Sequence, residues 1–181
     1  MSVLVTGGAG YIGSHMVREL LDAGEDVTVI DNLTTGFRSA VPEQVRFVEG
    51  NAGDTSLVGQ LLGDTPIDAI LHFAGSIVVP ESVTDPLGYY ANNTCNSRNL
   101  LACAVDAGVP NFIFSSTAAV YGEPDRSPAA EDATLRPISP YGSSKLMTET
   151  MLADTAQAHA LRYVALRYFN VAGADPQGRT G

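Results

Sequence analysis

Tyr141 and Lys145 are the residues whose types and spacing most directly suggest chemistry. They stand four positions apart at the start of a predicted helix, so their side chains share one face. An ammonium group beside a phenol favours the phenolate, which lowers the pKa of the phenol toward the range of a general base. Thr117 closes a Ser-Ser-Thr run at the end of a predicted strand, and its hydroxyl can hydrogen-bond the same substrate oxygen. These residues predict proton transfer to and from a substrate hydroxyl.

A glycine-rich loop is the second chemical signal. Gly7, Gly10 and Gly13 follow a short apolar strand and open a helix, which is the arrangement of a dinucleotide-binding loop. Gly7 permits a sharp turn, Gly10 lets the backbone approach a pyrophosphate, and Gly13 lets the helix pack close to the strand. The free N–H groups at the helix N-terminus attract phosphate. The loop therefore predicts a dinucleotide site in a chain whose net charge is −10.

Asp31 ends the second predicted strand, 18 residues beyond Gly13. A carboxylate at this point accepts hydrogen bonds from the adenosine ribose hydroxyls and repels a 2′-phosphate, which favours NAD over NADP. A second interpretation is that Asp31 only caps the loop that follows. Arg38 is near enough in sequence to leave NADP open.

Alternating strands and helices carry these motifs. Predicted strands cover 3–6, 26–30, 45–48, 69–73, 111–115 and 163–167, and predicted helices cover 12–21, 57–62, 86–108 and 141–158. The strands are continuous apolar runs, which indicates a parallel sheet buried on both faces. The sequence predicts an α/β fold with a doubly wound parallel sheet of the Rossmann type, in which ligands bind beyond the carboxyl ends of the strands.

Composition argues against several classes of function. The chain has 10 Lys and Arg against 20 Asp and Glu, a balance that excludes nucleic acid as a partner and disfavours an anionic membrane surface. With 45% hydrophobic and 17% charged residues, its 181 residues are typical of one globular domain. The acidic clusters near Glu123 and Glu131 lack the spacing of oxygen ligands, so no metal site is predicted.

The cysteines and the two ends of the chain bear on location and domain organisation. Cys95 and Cys103 match neither a redox nor a metal spacing, residues 1–10 lack the features of a signal peptide, and no apolar run approaches the ~20 residues of a spanning helix. We therefore expect a soluble, cytoplasmic protein. The glycine-rich segment 177–181 follows closely on the last predicted strand, so we expect residues 1–181 to be the NAD-binding, N-terminal part of a longer protein that also has a substrate domain.

Eight segments in order give the chain a specific resemblance to a known family. They are TGGAGYIGSH (6–15), DNL (31–33), HFAG (72–75), ES (81–82), YYANN (89–93), FSSTAAVYG (114–122), SPYGSSKLMTE (139–149) and RYFNVAGADP (167–176). Over its whole length the chain resembles the extended short-chain dehydrogenase/reductases, and within them the UDP-glucose 4-epimerases.

The resemblance implies which residues hold NAD and substrate. The implied ligands of the pyrophosphate and adenosine half are Gly7, Gly10, Tyr11, Ile12, Gly13, Asp31, Asn32, Asn51 and Ala52. Those toward the nicotinamide are Phe73, Ala74, Gly75, Asn92, Ser115, Tyr141, Lys145, Tyr168 and Phe169. Thr117 and Tyr141 would face the C4 hydroxyl of the sugar, and Asn170 would begin the contacts with the nucleotide sugar.

The resemblance also implies a reaction, the interconversion of UDP-galactose and UDP-glucose. Tyr141 would take the proton of the C4 hydroxyl while NAD oxidises C4, the 4-ketose would turn over in the site, and reduction from the opposite face would follow. The net redox change is zero, so NAD would stay tightly bound. Relatives imply a homodimer that pairs through the helices beginning near Pro86 and Tyr141.

Two positions depart from the pattern of the family. Asn51 replaces a common adenine-binding Asp, and Ile77 replaces a frequent Lys beside the pyrophosphate. Thr117 is followed by two alanines where dehydratases of the family carry Asp-Glu, and this absence of an acid and a base favours epimerisation over the elimination of water. Two further interpretations stay open: a 4-epimerase of another UDP-sugar, and a non-catalytic NAD-binding fragment.

Overall fold

A six-stranded parallel sheet forms the centre of the computed structural model, which describes residues 1–181. Its strands are β1 Ser2–Thr6, β2 Asp26–Asp31, β3 Arg46–Glu49, β4 Ala69–His72, β5 Asn111–Ser115 and β6 Arg162–Leu166. They lie in the order β3-β2-β1-β4-β5-β6, and every neighbouring pair is parallel. The order reverses between β1 and β4, so a crevice opens there at the carboxyl ends of the strands. The predicted doubly wound fold is confirmed.

Six helices connect the strands. They are α1 Tyr11–Asp22, α2 Thr55–Asp64, α3 Val79–Thr84, α4 Pro86–Tyr89, α5 Asn96–Asp106 and α6 Pro140–Ala158, with 3₁₀ turns at Arg38–Ala40 and Ala118–Tyr121. Asp54 caps α2, and Ser139 caps α6 by accepting from the Gly142 N–H. No helix of the chain is long and apolar enough to span a membrane.

The core lies on both faces of the sheet because successive strand residues point in opposite directions. Leu4, Ile70 and Phe112 face a layer formed by α2, α5 and α6, whereas Val5 and Val29 face α1. All five side chains are at most 1% exposed. Burial of a side chain of this size contributes roughly 1.5–3 kcal/mol, so this alternation fixes the register of the central strands.

Strand β6 is less buried than the central strands of the sheet. Val164 is 51% exposed and Leu166 is 38% exposed, while Ala165 between them packs against the core. Helix α1 packs against β1 and β2 at the other end of the sheet. Within this chain β6 is an edge strand, and one of its faces carries exposed apolar side chains.

The predicted helix 86–108 is divided into three parts. A π-helical turn, Tyr90–Cys95, separates α4 from α5. The side chain of Asn93 is 3% exposed, accepts from the Ser76 N–H at 2.7 Å and donates to Ser144 Oγ at 3.2 Å. These bonds to two distant segments stabilise the wider turn, which places Asn92 in the lining of the crevice.

Candidate active site

A crevice of about 1030 Å³ opens at the carboxyl ends of the strands. Every residue that the sequence predicted to hold cofactor or substrate lines it. These residues are Gly7, Gly10, Tyr11, Ile12, Gly13, Asp31, Asn32, Asn51, Ala52, Phe73, Ala74, Gly75, Asn92, Ser115, Thr117, Tyr141, Lys145, Tyr168, Phe169 and Asn170.

The glycine loop forms one wall of the crevice. Gly7 has φ +70°, and a Cβ there would lie 2.6 Å from the backbone nitrogen of Ala74. A Cβ on Gly13 would lie 2.1 Å from the Gly7 carbonyl oxygen, so α1 can begin this close to β1 only with glycine. No side chain caps α1 and no acid occupies its first turn, which leaves the N–H groups of Tyr11 and Ile12 available to an anion. This cradle fits a pyrophosphate.

Asp31 binds the loop that surrounds it. Asp31 is 9% exposed, and its two carboxylate oxygens accept hydrogen bonds from the N–H groups of Ala9 at 2.9 Å and Leu33 at 2.8 Å. Each carboxylate oxygen retains a further lone pair for a ribose hydroxyl. Arg38 donates to the Val41 carbonyl at 2.9 Å and does not line the crevice.

Two asparagines near the predicted adenosine end of the crevice accept hydrogen bonds from residues of their own loops. Asn51 Oδ1 accepts from the Gly53 N–H at 2.8 Å. Asn32 Oδ1 accepts from both the N–H and the hydroxyl of Thr34, at 3.1 and 2.8 Å. Asn51 therefore keeps one lone pair for an adenine amine, and it contributes no charge.

The crevice contains few charged side chains. Asp31, Glu81 and Lys145 are the charged residues in its lining, so acids outnumber bases. Ile77, also in the lining, is 69% exposed and adds no cation. An anionic ligand in this crevice depends on backbone N–H groups and on one lysine.

Lys145 is buried without an ion pair, and its amine is fixed by the strand beside it. Lys145 is 3% exposed, and its Nζ atom donates a hydrogen bond to the Ser115 carbonyl at 3.0 Å. Nζ also lies 5.0 Å from the centre of the Phe114 ring. Burial lowers the pKa of Lys145 to about 8. The amine is still mostly protonated at pH 7, and it has two further N–H bonds to donate.

The predicted lowering of the Tyr141 pKa is wrong for this structure. Burial raises the pKa of Tyr141 above its ordinary value, and a hydrogen bond with the Thr117 hydroxyl opposes this shift. The sequence spacing correctly places Tyr141 and Lys145 on the same helix face. However, the Lys145 amine donates to a carbonyl of β5 and does not lower the pKa of the phenol.

The ends of β5 and β6 are joined beside these residues. The Ser115 hydroxyl and the Tyr168 phenol share a hydrogen bond, and the Ala118 N–H donates to the Tyr168 carbonyl at 3.0 Å. Burial raises the pKa of Tyr168. Phe169 follows and is 85% exposed, so it presents an uncovered aromatic face at the mouth of the crevice.

Sequence reasoning missed three residues that support the site. Ser116 donates to the Glu149 carboxylate, which also pairs with Arg167 at 2.7 Å. Glu149 follows Lys145 by four residues, so the helical spacing could have revealed it. A carboxylate on a helix is usually solvated, and this one becomes part of the site only through Ser116 and Arg167, which directly follow β5 and β6.

Comparisons with known proteins agree with this geometry. Residues 3–181 match the model of the NAD dependent epimerase/dehydratase family. The chain is 59% identical to the UDP-glucose 4-epimerase of Azospirillum brasilense over 99% of its own length and 51% of that relative. It thus spans about half the length of the curated relatives it matches.

Solved structures give the same result. UDP-glucose 4-epimerase from Brucella ovis, solved in complex with NAD, superimposes with a TM-score of 0.96 at 47% identity, over 99% of this chain and 55% of that one. The UDP-Glc/GlcNAc 4-epimerase of Campylobacter jejuni has a TM-score of 0.92 at 46% identity, over 96% of this chain and 55% of that one. With its fold, its glycine loop and a family match over residues 3–181, this chain belongs to the NAD dependent epimerase/dehydratase family.

Proposed function

We propose that this chain is the NAD-binding, catalytic part of a 4-epimerase that interconverts UDP-galactose and UDP-glucose. The observation that carries the proposal is the meeting of Thr117, Tyr141 and Lys145 in the crevice that begins at the glycine loop. Ala118 and Ala119 also line the crevice beside them and offer no acid or base for the elimination of water. Two relatives that are 59% and 51% identical to this chain are named UDP-glucose 4-epimerases.

The residues present fit NAD. The uncapped N-terminus of α1 and Gly10 would hold the pyrophosphate, and Asp31 would accept from the adenosine ribose hydroxyls. Lys145 would donate to the nicotinamide ribose through the N–H bonds that Ser115 leaves free. When bound, NAD supplies reversible two-electron oxidation at C4 of the sugar.

Tyr141 is the proton acceptor and donor for the C4 hydroxyl in this proposal. Its phenol must reach the phenolate state, which burial alone disfavours. The Thr117 hydroxyl accepts from the Ala119 N–H at 3.1 Å, so its own proton is free to point to the phenol oxygen. This bond stabilises the phenolate and holds its oxygen beside the position of C4.

A second candidate function is the 4-epimerisation of another UDP-sugar. It is supported by the Campylobacter jejuni neighbour, which is named for both UDP-Glc and GlcNAc. The two functions share Thr117, Tyr141 and Lys145 and differ only in the sugar that the crevice accepts. A non-catalytic NAD-binding fragment is the remaining alternative, and the intact catalytic set argues against it.

We further propose that residues 1–181 form one NAD-binding domain and that the protein is a cytoplasmic homodimer. Both cysteines are free, which suits a reducing compartment. Val83, Leu87 and Met147 are 63%, 78% and 46% exposed on α3, α4 and α6, and a partner subunit would cover them. Sedimentation at twice 19.0 kDa supports the dimer, and sedimentation at 19.0 kDa contradicts it.

Turnover of UDP-galactose tests the proposed function. Because this chain spans about half the length of its relatives, the test uses the longer protein that contains it. That protein, loaded with NAD, is mixed with UDP-galactose, and formation of UDP-glucose is followed by a coupled assay or by NMR. We expect turnover that Tyr141→Phe reduces at least about a hundredfold, since the variant cannot transfer the proton. UDP-N-acetylgalactosamine, tested in parallel, distinguishes the second candidate. Binding of NAD without turnover of either sugar would favour the non-catalytic alternative.

A further inference from the structure

Three consecutive residues at the end of β5, 115–117, lie beside one face of α6. The carbonyl of the first accepts from Lys145 Nζ at 3.0 Å, the hydroxyl of the second donates to the Glu149 carboxylate, and the third lines the crevice together with Tyr141. The three partners stand four residues apart on α6 and therefore share its face. Two of them belong to the proposed catalytic set, and Glu149 does not.

We propose that Glu149, held by Arg167, is a positioning residue that sets the Thr117 hydroxyl against the Tyr141 phenol. This inference rests on the proposed function, because it assigns Glu149 a role in the same proton transfer. Glu149 touches neither cofactor nor substrate in this account. It acts through Ser116, the residue that precedes Thr117.

The Glu149 carboxylate is built into the protein as a fixed acceptor. The residue is 6% exposed, and Arg167 Nε donates to both of its oxygens at 3.1 Å. Arg167 Nη2 donates to Oε2 at 2.7 Å, and the Ser116 hydroxyl donates to Oε1. A planar guanidinium bonded in this forked manner leaves the carboxylate one orientation. The Ser116 hydroxyl therefore has a fixed target.

Arg167 is itself held from its other side. Its Nη1 atom donates to the Tyr121 phenol at 3.0 Å and to the Glu131 carbonyl at 3.1 Å. Its guanidinium carbon also lies 5.1 Å from the centre of the Tyr121 ring. The pair thus joins α6 and β6 to the 3₁₀ turn and loop that follow Thr117. Arg167 therefore connects Glu149 to the segment that follows Thr117.

Ser116 transmits this constraint to Thr117. The Thr117 hydroxyl accepts from the Ala119 N–H at 3.1 Å, which leaves its proton for Tyr141. Loss of the Ser116–Glu149 bond lets the peptide between Ser116 and Thr117 rotate, and a hydrogen bond weakens steeply with angle. The expected consequence is a weaker bond to the phenol of Tyr141 with the fold preserved.

The titration of Tyr141 tests this inference without turnover. The chain carries 7 tyrosines, so ¹³Cζ-tyrosine NMR can resolve them, and Tyr141→Phe assigns the signal. Thr117→Val removes the hydroxyl and should raise the Tyr141 pKa by about half a unit or more. Ser116→Ala and Glu149→Gln should raise it in the same direction, and the double variant should add little to either. Ser116→Ala keeps the ion pair, so it serves if Glu149→Gln unfolds.

Thr148→Ala is the matched control, since it removes a buried hydroxyl of α6 that bonds only the Ser144 carbonyl. It should leave the Tyr141 pKa unchanged. A wild-type Tyr141 pKa in both Ser116→Ala and Glu149→Gln would overturn the inference, whether or not Thr117→Val shifts it. Turnover is measured separately: kcat should fall about tenfold with KM unchanged in Ser116→Ala. Absence of turnover in the wild-type longer protein that contains this chain would contradict the proposed function, whereas the NMR titration would still decide the role of Glu149.

Discussion

The Nζ atom of Lys145 donates to the Ser115 carbonyl at 3.0 Å, and no carboxylate pairs with it. The lysine is 3% exposed, so its ammonium is buried beside a neutral partner. A buried cation without a counter-ion destabilises the free protein and binds an anionic or hydroxyl-rich ligand more strongly. The buried Lys145 ammonium therefore lowers the stability of the free protein and strengthens the binding of a ligand.

This burial predicts a dependence of stability on pH. The pKa of Lys145 is about 8 in the folded chain against 10.5 for the ordinary amine. Above pH 8 the folded state releases a proton that the unfolded state still binds, so stability should rise with pH, by at most about 1.4 kcal/mol per unit. Urea denaturation of the wild type and Lys145→Met between about pH 7 and 9.5 measures the difference.

We expect Lys145→Met to be the more stable protein at pH 7, and we expect its advantage to shrink toward pH 9.5. Taking the difference between the two proteins cancels groups that titrate equally in both, such as the tyrosines. A difference that stays constant over this range would contradict the account of Lys145.

The burial of His72 predicts how the stability of the fold depends on pH on the acidic side. Its Nδ1 lies 2.6 Å from Thr6 Oγ1 and its Nε2 lies 2.8 Å from Ser97 Oγ, so both ring nitrogens are bonded in the core. Burial lowers the pKa of His72 from 6.5 to about 3. Between these values the unfolded state binds the proton, so stability should fall with acidification by at most about 1.4 kcal/mol per unit.

His72→Gln should flatten this acid limb, as measured by urea denaturation from about pH 7 to 4. The exposed His159→Gln is the matched control and should retain the wild-type profile. Equal acid sensitivity in all three proteins would show that His72 does not cause it.

Replacing Ile77 by lysine should strengthen the binding of NAD. It is 69% exposed in the lining of a crevice whose one cation is Lys145. Ile77→Lys should lower the Kd for NAD about threefold to tenfold at low salt, and the gain should fade as salt screens it. Ile138→Lys adds the same charge at a residue that is 72% exposed outside the crevice lining and should leave the Kd unchanged. Equal effects of the two lysines would indicate a general effect of net charge.

Arg179 holds the last residues of the chain against α1. Its guanidinium donates to both oxygens of Asp22, at 2.9 and 2.7 Å, and to both oxygens of Asp175, at 3.0 and 2.7 Å. Arg179→Gln should speed amide hydrogen exchange in residues 173–181 severalfold, because the segment then opens locally. Arg46→Gln breaks an exposed ion pair of 4.0 Å and serves as control. Unchanged exchange in residues 173–181 would show that Arg179 does not hold them.

Local sequence patterns predicted the strands, the glycine loop and the shared helix face of Tyr141 and Lys145, because each depends on a few consecutive residues. The π-helical turn was not predicted, since it depends on bonds from Asn93 to two segments far away in the sequence. The prediction that the pKa of Tyr141 is lowered was wrong for the same reason. Helical spacing places an amine near the phenol, but β5 supplies the carbonyl to which that amine donates.

The most direct test of the account is a calorimetric titration of this chain with NAD⁺ and, separately, with NADP⁺. Asp31 should accept from a ribose hydroxyl and repel a 2′-phosphate, so NAD⁺ should bind to one site at least about tenfold more tightly than NADP⁺. Asp31→Asn should narrow the difference because it removes the carboxylate charge, although its single amide oxygen can accept from only one of the Ala9 and Leu33 N–H groups. Selective binding of NAD⁺ would support the cofactor site and the role of Asp31. Absence of NAD⁺ binding, or equal binding of both nucleotides, would contradict the account.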